Sequence, residues 1–368
     1  ANSFNPPWVR DPDAQVCVGN TSCMSPTEWL REGSESMWSD YARPSTHWMD
    51  EADGSPFGKC CSSCEVDPKC YWLHPGGNAF ACNMTSHCSN SEGEEHVFVN
   101  EVLPYFTRYA REHEHVFLEV GGNNGLHQSN TIYLERCLRW KGIMVEAHPG
   151  LFKTMRANRP GLVSIWSALC DSHQKVQFSP EGKTDAHILA DELVDESTPA
   201  IPTPCAPLSD YLTLLGVKHI TMFSLDVEGF EDLVLAGIDF SRLEVGVFVV
   251  EELKATPEKN VRVRKRFVEL GFVLALRVCR NGHHEPQKVC DAFFVNPRWV
   301  DVDALEQHVQ NSEVLRDEKL VHYSVRNTQC VGVGVAANRK KMARNEMRQT
   351  KRAAKNGNST LQELQGQL

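Results

Sequence analysis

Between residues 97 and 300 the chain alternates short apolar runs with amphipathic stretches. Runs at 116–120, 142–146, 163–168, 220–226, 245–251, 272–277 and 292–295 are rich in Val, Ile, Leu and Phe and predict strands. Stretches at 129–140, 151–158, 208–215, 230–236 and 258–270 carry apolar residues at helical spacing and predict helices between those strands. A lead-in helix is expected over 97–110, and one more helix-like stretch follows at 304–314. Strands that alternate with helices predict an α/β domain, with a mostly parallel sheet covered on both faces and right-handed crossovers. The segment 183–207 breaks the rhythm with several acids and a run of prolines. A stretch of that length without periodicity is expected to be a lid, a binding loop or a disordered insert.

The two ends have a different texture. Residues 1–95 are rich in Pro, Gly, Ser, Cys and Trp, hold eight of the fourteen cysteines and show no sustained period. Zinc would call for paired Cys-x-x-Cys knuckles. Cys61-Ser-Ser-Cys64 is one such pair, but Cys82 and Cys88 stand six apart, so disulfides are the favoured use. The stretch from Cys60 to Cys88 is similar to the apple or PAN-like modules of secreted proteins over about thirty residues; a simple packing extension is the other reading. Sequons at Asn20, Asn83 and Asn358 agree with an oxidising compartment, and a secreted or Golgi-lumenal glycoprotein is expected. The chain begins at Ala1 without a basic-then-apolar leader, as expected of a processed form or of one trimmed of a signal peptide or anchor. Three parts follow: a cysteine-rich, disulfide-stapled extension (1–95), the α/β domain (96–300) and a C-terminal extension with a basic tail (301–368).

Composition narrows the function classes. With 41% hydrophobic and 23% charged residues, the chain has ample material for a core. No apolar run approaches the roughly 18–20 residues of a membrane span. The net charge is −10, and residues 339–355 carry eight basic groups against one acid, a local +7 that leaves −17 for the rest. A body this acidic is a poor partner for nucleic-acid backbones. The basic tail itself is expected to be a solvated helix or a disordered arm.

The candidate chemistry begins at Glu119-Val-Gly-Gly-Asn-Asn-Gly125, where an apolar strand runs into a glycine-rich turn and then a helix. Such a turn lies at the carboxyl edge of a doubly wound sheet, where ligands bind. The strand that opens 21 residues beyond Gly121 ends in Glu146, an acid placed to accept hydrogen bonds from ribose hydroxyls. The full G-x-G-x-x-G spacing is absent, which disfavours a dinucleotide and favours a cofactor with a ribose but no diphosphate. S-adenosylmethionine meets that description.

Five blocks now carry a resemblance. Glu119–Gly125, Val145-Glu-Ala-His-Pro149, Ser167-Ala-Leu-Cys-Asp171, Pro207-Leu-Ser-Asp-Tyr-Leu212 and Ser224-Leu-Asp-Val-Glu-Gly-Phe-Glu231 occur in the order and approximate spacing of the FkbM-type methyltransferase family. The likeness spans about 180 residues and implies a Rossmann-like, seven-stranded class I methyltransferase sheet. It also implies methyl transfer from S-adenosylmethionine to a hydroxyl, of a sugar or glycan in many members. The family's usual Asp-x-Gly-Ala-Asn is replaced here by a block with Glu119 and Gly122, and its Glu-Pro-x-Pro by Glu146-Ala-His-Pro149.

Roles follow from both sources. Glu119 is a candidate for the cofactor's ammonium group, with Gly121, Asn123 and Gly125 forming the turn beneath it and Glu146 taking the ribose. Asp171 falls where the resemblance places an adenine-side acid; a turn residue is the competing reading. Asp226 ends an apolar strand and is the candidate chemical residue, with Glu228 in support and Glu251, at the next strand end, as a second candidate. A carboxylate there can take the hydroxyl proton or hold a hard divalent cation such as Mg²⁺, for which Asp226 is the candidate ligand. Glu231 is expected on the following helix, as an acid that complements its dipole. His148, His283 and His284 offer alternative bases. Cys279 and Cys290 flank the loop between the last two strands and are expected to staple them. A second function class, a non-catalytic secreted glycoprotein that keeps the fold as a binding module, stays open. The compartment argument has a direct check: on denatured, unreduced protein, few of the fourteen cysteines should react with a thiol reagent. Reaction of most of them contradicts it.

Overall fold

The computed structural model describes residues 14–18, 23–25, 94–136, 138–180, 188–189, 200–253, 256–280 and 289–311. The cysteines from Cys60 to Cys88, the three sequons, His283 and His284, most of 183–200 and the basic tail lie outside the described residues.

A nine-stranded sheet organises the described part. Its strands are β1 (Gln15–Val18), β2 (Cys23–Met24), β3 (Val116–Val120), β4 (Lys141–Glu146), β5 (Val163–Trp166), β9 (His219–Leu225), β10 (Glu244–Leu253), β11 (Val273–Arg280) and β12 (Val289–Val295). They lie in the order β11-β12-β10-β9-β3-β4-β5-β1-β2. A second sheet of three strands, β6 (Ala168–Leu169), β7 (Gln174–Phe178) and β8 (Ile201–Ala206), has the order β6-β8-β7. The five strands from β10 through β9, β3 and β4 to β5 pair in parallel, whereas β12 runs antiparallel to β10 and β11. The seven strands expected from the sequence are therefore all present, in an α/β fold with a mixed central sheet. The hairpin β1–β2 extends it, pairing antiparallel with β5 and closed by the disulfide Cys17–Cys23.

Burial on both faces explains why the central strands read as continuous apolar runs. All five residues of β3 are buried, with Phe117 in one core cluster and Val116, Leu118 and Val120 in the other. One face is covered by the segment from α1 (Glu94–Val97) through a π-helical turn (Phe98–Val102) and a 3-10 turn (Leu103–Tyr105), together with the terminal helix α8 (Val302–Asn311). Phe98, Trp140, Trp299 and Leu305 meet there. The other face is covered by α5 (Leu208–Leu214), α6 (Glu231–Ala236) and α7 (Pro257–Glu269). Phe267 of α7 stacks on Phe294 with ring centroids 4.2 Å apart and lies 4.7 Å from Phe248.

Three local expectations are corrected. The lead-in helix is α-helical only to Val97, continues through the π and 3-10 turns and ends at Phe106, whose backbone is extended; it restarts as α2 (Arg108–Arg111) behind Thr107, whose side chain accepts from Ala110 N. The helix expected over 129–140 is only α3 (Ile132–Arg136), because residues 129–131 bond elsewhere. The proline run contains a strand after all. Pro202 and Pro204 fall on alternate positions of β8, on the edge that β6 covers only at Cys205 and Ala206, so their missing N–H groups cost no ladder bond. Cys170–Cys205 ties this small sheet together, and Cys279–Cys290 staples β11 to β12 as expected, at directly opposed positions. Among the described residues, no helix is long and apolar enough to cross a membrane.

Candidate active site

Parallel pairing brings the carboxyl ends of β3, β4, β9 and β10 to one edge of the sheet, and a cavity of about 270 Å³ opens there. The turn after β3 forms its floor. Gly121 takes φ +86°, and both Gly121 N and Gly122 N donate to Val145 O at 3.1 Å. A Cβ on Gly121 would stand 1.7 Å from the Asp226 carbonyl oxygen, so only glycine lets the turn pass the end of β9. Asn123, also at positive φ, donates its N–H to Glu146 Oε2 at 2.8 Å, and His148 N donates to Glu146 Oε1 at 2.7 Å. Glu146 is buried yet lines the cavity, and burial pushes its pKa up to about 7 against the pull of these amides. The turn and the strand-end acid, 23 residues apart in sequence, are thus one hydrogen-bonded unit.

Glu119 sits beneath that turn with its oxygens engaged. Oε1 accepts from Asn130 N at 2.8 Å, and Oε2 accepts from Ser129 Oγ at 2.9 Å and Thr131 Oγ1 at 2.5 Å. Burial raises its pKa, while Arg159 and these donors oppose the shift. Arg159 is itself fully buried: it pairs with Glu135 and donates to Gly125 O, Ser129 Oγ and Thr131 O. Glu119 lines the cavity, but its first task is to hold 129–131 in place. Gly125, at φ +80°, packs against Arg159 and Met155 and lies outside the lining.

The opposite wall is acidic. Asp226, just past the end of β9, Glu228, in the turn that follows, and Glu251, near the end of β10, each offer an oxygen within 4.8 Å of the others'. Glu228 adopts φ +54° and is followed by Gly229 at +105°, so the turn is left-handed there. Glu231, the first residue of α6, steadies it: its Oε1 accepts from Val227 N and Gly229 N, and its Oε2 pairs with the buried Lys259. Glu231 therefore does more than complement a helix dipole. Glu251 is 6% exposed, and its Oε2 has no hydrogen-bond partner. Directly across the ladder from it stands the buried Asp291, and Glu94, from ahead of the domain's first strand, reaches the same cavity. Burial first, then the neighbouring carboxylates, hold Asp226, Glu251 and Glu94 well above the usual acid range.

Of the candidates read from the sequence, the cavity gathers Glu119, Gly121, Asn123, Glu146, Asp226, Glu228 and Glu251. Asp171 is not among them. The chain turns at Cys170, held by its disulfide and by Cys170 N to Ala206 O, and leaves Asp171 exposed with Oδ1 accepting from Ser172 Oγ. The cavity wall is made instead by Ser167, Ala168 and Leu169. His148 is a helix cap: Nδ1 accepts from Gly150 N and Leu151 N, which leaves the proton on Nε2, 3.3 Å from Pro180 O. Arg159, Glu94 and Asp291 belong to no motif in the sequence. The register between β10 and β12 places Asp291 opposite Glu251, whereas Arg159 carries no local signal.

Glu146 supplies a pH test. A carboxyl whose folded-state pKa lies above its unfolded value keeps more protons when native, so its contribution is full below the unfolded value and is lost as pH rises through the folded one. Between pH 4.5 and 7.5 the wild type should lose roughly 3 kcal/mol relative to Glu146→Gln in urea unfolding. Parallel stability curves for the two proteins contradict the assignment.

The model of the methyltransferase FkbM domain matches residues 119–274. No curated protein matches the chain. Among solved structures the chain is similar to an O-methyltransferase from Bacillus cereus in complex with SAH, at 14% identity over 64% of this chain and 100% of that one, with a TM-score of 0.31. It is similar to a precorrin-6y C5,15-methyltransferase from Geobacter metallireducens GS-15, at 13% identity over 50% and 80% of the two chains and a TM-score of 0.28. A SAM-dependent methyltransferase from Aquifex aeolicus is similar at 13% identity over 50% and 84%, with a TM-score of 0.25. The matched segment opens at Glu119 and contains the glycine turn, Glu146, Asp226, Glu228 and Glu251. Residues 119–274 of this chain are thus similar to the methyltransferase FkbM domain.

Proposed function

We propose that the strand-end cavity binds S-adenosylmethionine and that the chain transfers its methyl group to a hydroxyl, of a sugar or glycan. The observation that carries this reading is Glu146: a buried carboxylate at the end of β4, tied to the glycine turn through Asn123 N and facing the same cavity as Asp226. When bound, S-adenosylmethionine supplies a methyl already activated on a sulfonium.

The residues present suit that group. Each Glu146 oxygen takes one amide and keeps a lone pair for a ribose hydroxyl. Val145, Ala147, Leu151 and Phe178 give an apolar slot for a purine, and Ser167–Leu169 stand where Asp171 was expected. At the other end, Asp226, Glu228 and Glu251 accept hydrogen bonds from a polyhydroxylated acceptor. With that group bound, Asp226 would take the proton that the acceptor's hydroxyl gives up as it receives the methyl. Most of the rate then comes from alignment, since an activated donor needs an in-line approach above all. Disulfides among the described residues support an oxidising, secretory setting for this activity.

Calorimetric titration with S-adenosylmethionine is expected to give one site per chain, weakened at least tenfold in Glu146→Ala. Asp226→Asn should then reduce transfer of a labelled methyl to a panel of monosaccharides and released glycans by about 10²–10⁴-fold while sparing cofactor affinity. An absence of binding in the wild type defeats the enzyme reading, and unchanged turnover in Asp226→Asn removes the role given to that residue.

A further inference from the structure

We propose that Asp226, Glu228 and Glu251 form a binding site for one divalent metal ion of the hard, oxygen-seeking class, on the acceptor side of the cavity. The three residues come from three places, the end of β9, the left-handed turn after it and the end of β10, yet each brings a carboxylate oxygen within 4.8 Å of the other two. Hard divalent cations hold oxygens at about 2.0–2.6 Å, so ligands on opposite sides of one ion stand about 4–5 Å apart. The separation fits a shared ion.

Glu251 is the second, independent sign. It is 6% exposed, it faces the cavity, and Oε2 has no hydrogen-bond partner. Leaving a buried acceptor unmatched costs about 1–3 kcal/mol, more when it is charged. Across the ladder, the buried Asp291 is the register partner of Glu251 on the antiparallel strand. The basic groups recorded nearby serve other acids. Lys259 pairs with Glu231, while Arg264 and Arg277 both pair with Glu252, the next residue along β10. Alternation along a strand sends Glu252 to the opposite face from Glu251. A cation between Asp226, Glu228 and Glu251 answers the unmatched oxygen.

Placed there, the ion lies in the same cavity as Glu146 and Gly121. Its role rests on the methyl-transfer reading, although its binding does not: it would hold the acceptor's hydroxyl oxygen, with one Asp226 oxygen on the metal and the other available for the acceptor's proton. A substrate with adjacent hydroxyls, such as a sugar diol, offers the two-point contact that such an ion favours.

The test uses the full chain, freed of metal by chelator and dialysis, titrated with Mn²⁺ and followed by electron paramagnetic resonance. One Mn²⁺ per chain is expected, displaced by excess Mg²⁺, with affinity reduced at least tenfold in Glu251→Gln and in Asp226→Asn. Mn²⁺ should also raise the melting temperature of the wild type and leave that of Glu251→Gln unchanged, which shows that the variant is folded and has lost the site. No binding at millimolar Mn²⁺, or equal affinity in wild type and both variants, overturns the proposal. Titration of the same preparation with S-adenosylmethionine separates the two readings. Cofactor binding without Mn²⁺ binding removes the metal site alone, whereas Mn²⁺ binding without cofactor binding leaves the site and removes its assigned role.

Discussion

Arg159 places a full positive charge where no water reaches it, and one side of the cavity is built around that charge. A buried guanidinium is tolerated only when its donors are matched, and here Glu135, Gly125 O, Ser129 Oγ and Thr131 O match them. Ser129 and Thr131 bond in turn to Glu119 at the end of β3. The end of a strand, the start of a helix and the end of another helix are thereby locked to one another. Loss of the guanidinium leaves Glu119 and Glu135 without their cation, and removal of one partner from such a pair costs about 3–5 kcal/mol. The glycine turn is held between this network and the Asp226 carbonyl.

From that fixed edge the cavity divides into two chemical halves. On the β4 side, Glu146 accepts one backbone amide from the turn, at Asn123, and one from His148, and faces apolar neighbours. On the β9–β10 side, carboxylates accumulate with few compensating cations, and the turn that presents Glu228 is left-handed. Backbone strain and unmatched buried charge are disfavoured by folding, and they concentrate where a ligand is handled. Glu231 and Lys259 serve the chemistry indirectly: they brace the turn so that Asp226 and Glu228 keep their positions. Glu94 adds a contribution from outside the matched domain, since it reaches the cavity from the segment that covers the opposite sheet face.

How much of this was legible depended on the kind of signal involved. Strands buried on both faces leave unbroken apolar runs, so β3, β4, β5, β9 and β10 stood out in the sequence. Glu146, Asp226 and Glu251 were legible for the same reason, as acids that end such runs. Asp171 lies in the exposed bend after Cys170, as its reading as a turn residue has it and away from the cavity, and no local pattern distinguished that reading from an adenine-side acid. The helix expected from Ser129 was too long because Glu119 claims three successive residues before it, a contact no periodicity encodes. Proline marked 201–206 as irregular, although one-sided pairing lets alternate prolines sit in a strand. Arg159 follows the end of α4 (Pro149–Asn158) as an ordinary basic residue, and only the fold reveals its burial.

The assignment of the cavity as the cofactor site is the claim on which the rest turns. Amide hydrogen exchange with and without S-adenosylhomocysteine tests it at the residues concerned. Exchange at 121–123 and 146–148 is predicted to slow on addition of the ligand, with α8 unchanged. Unaltered exchange at both of those segments under saturating ligand contradicts it.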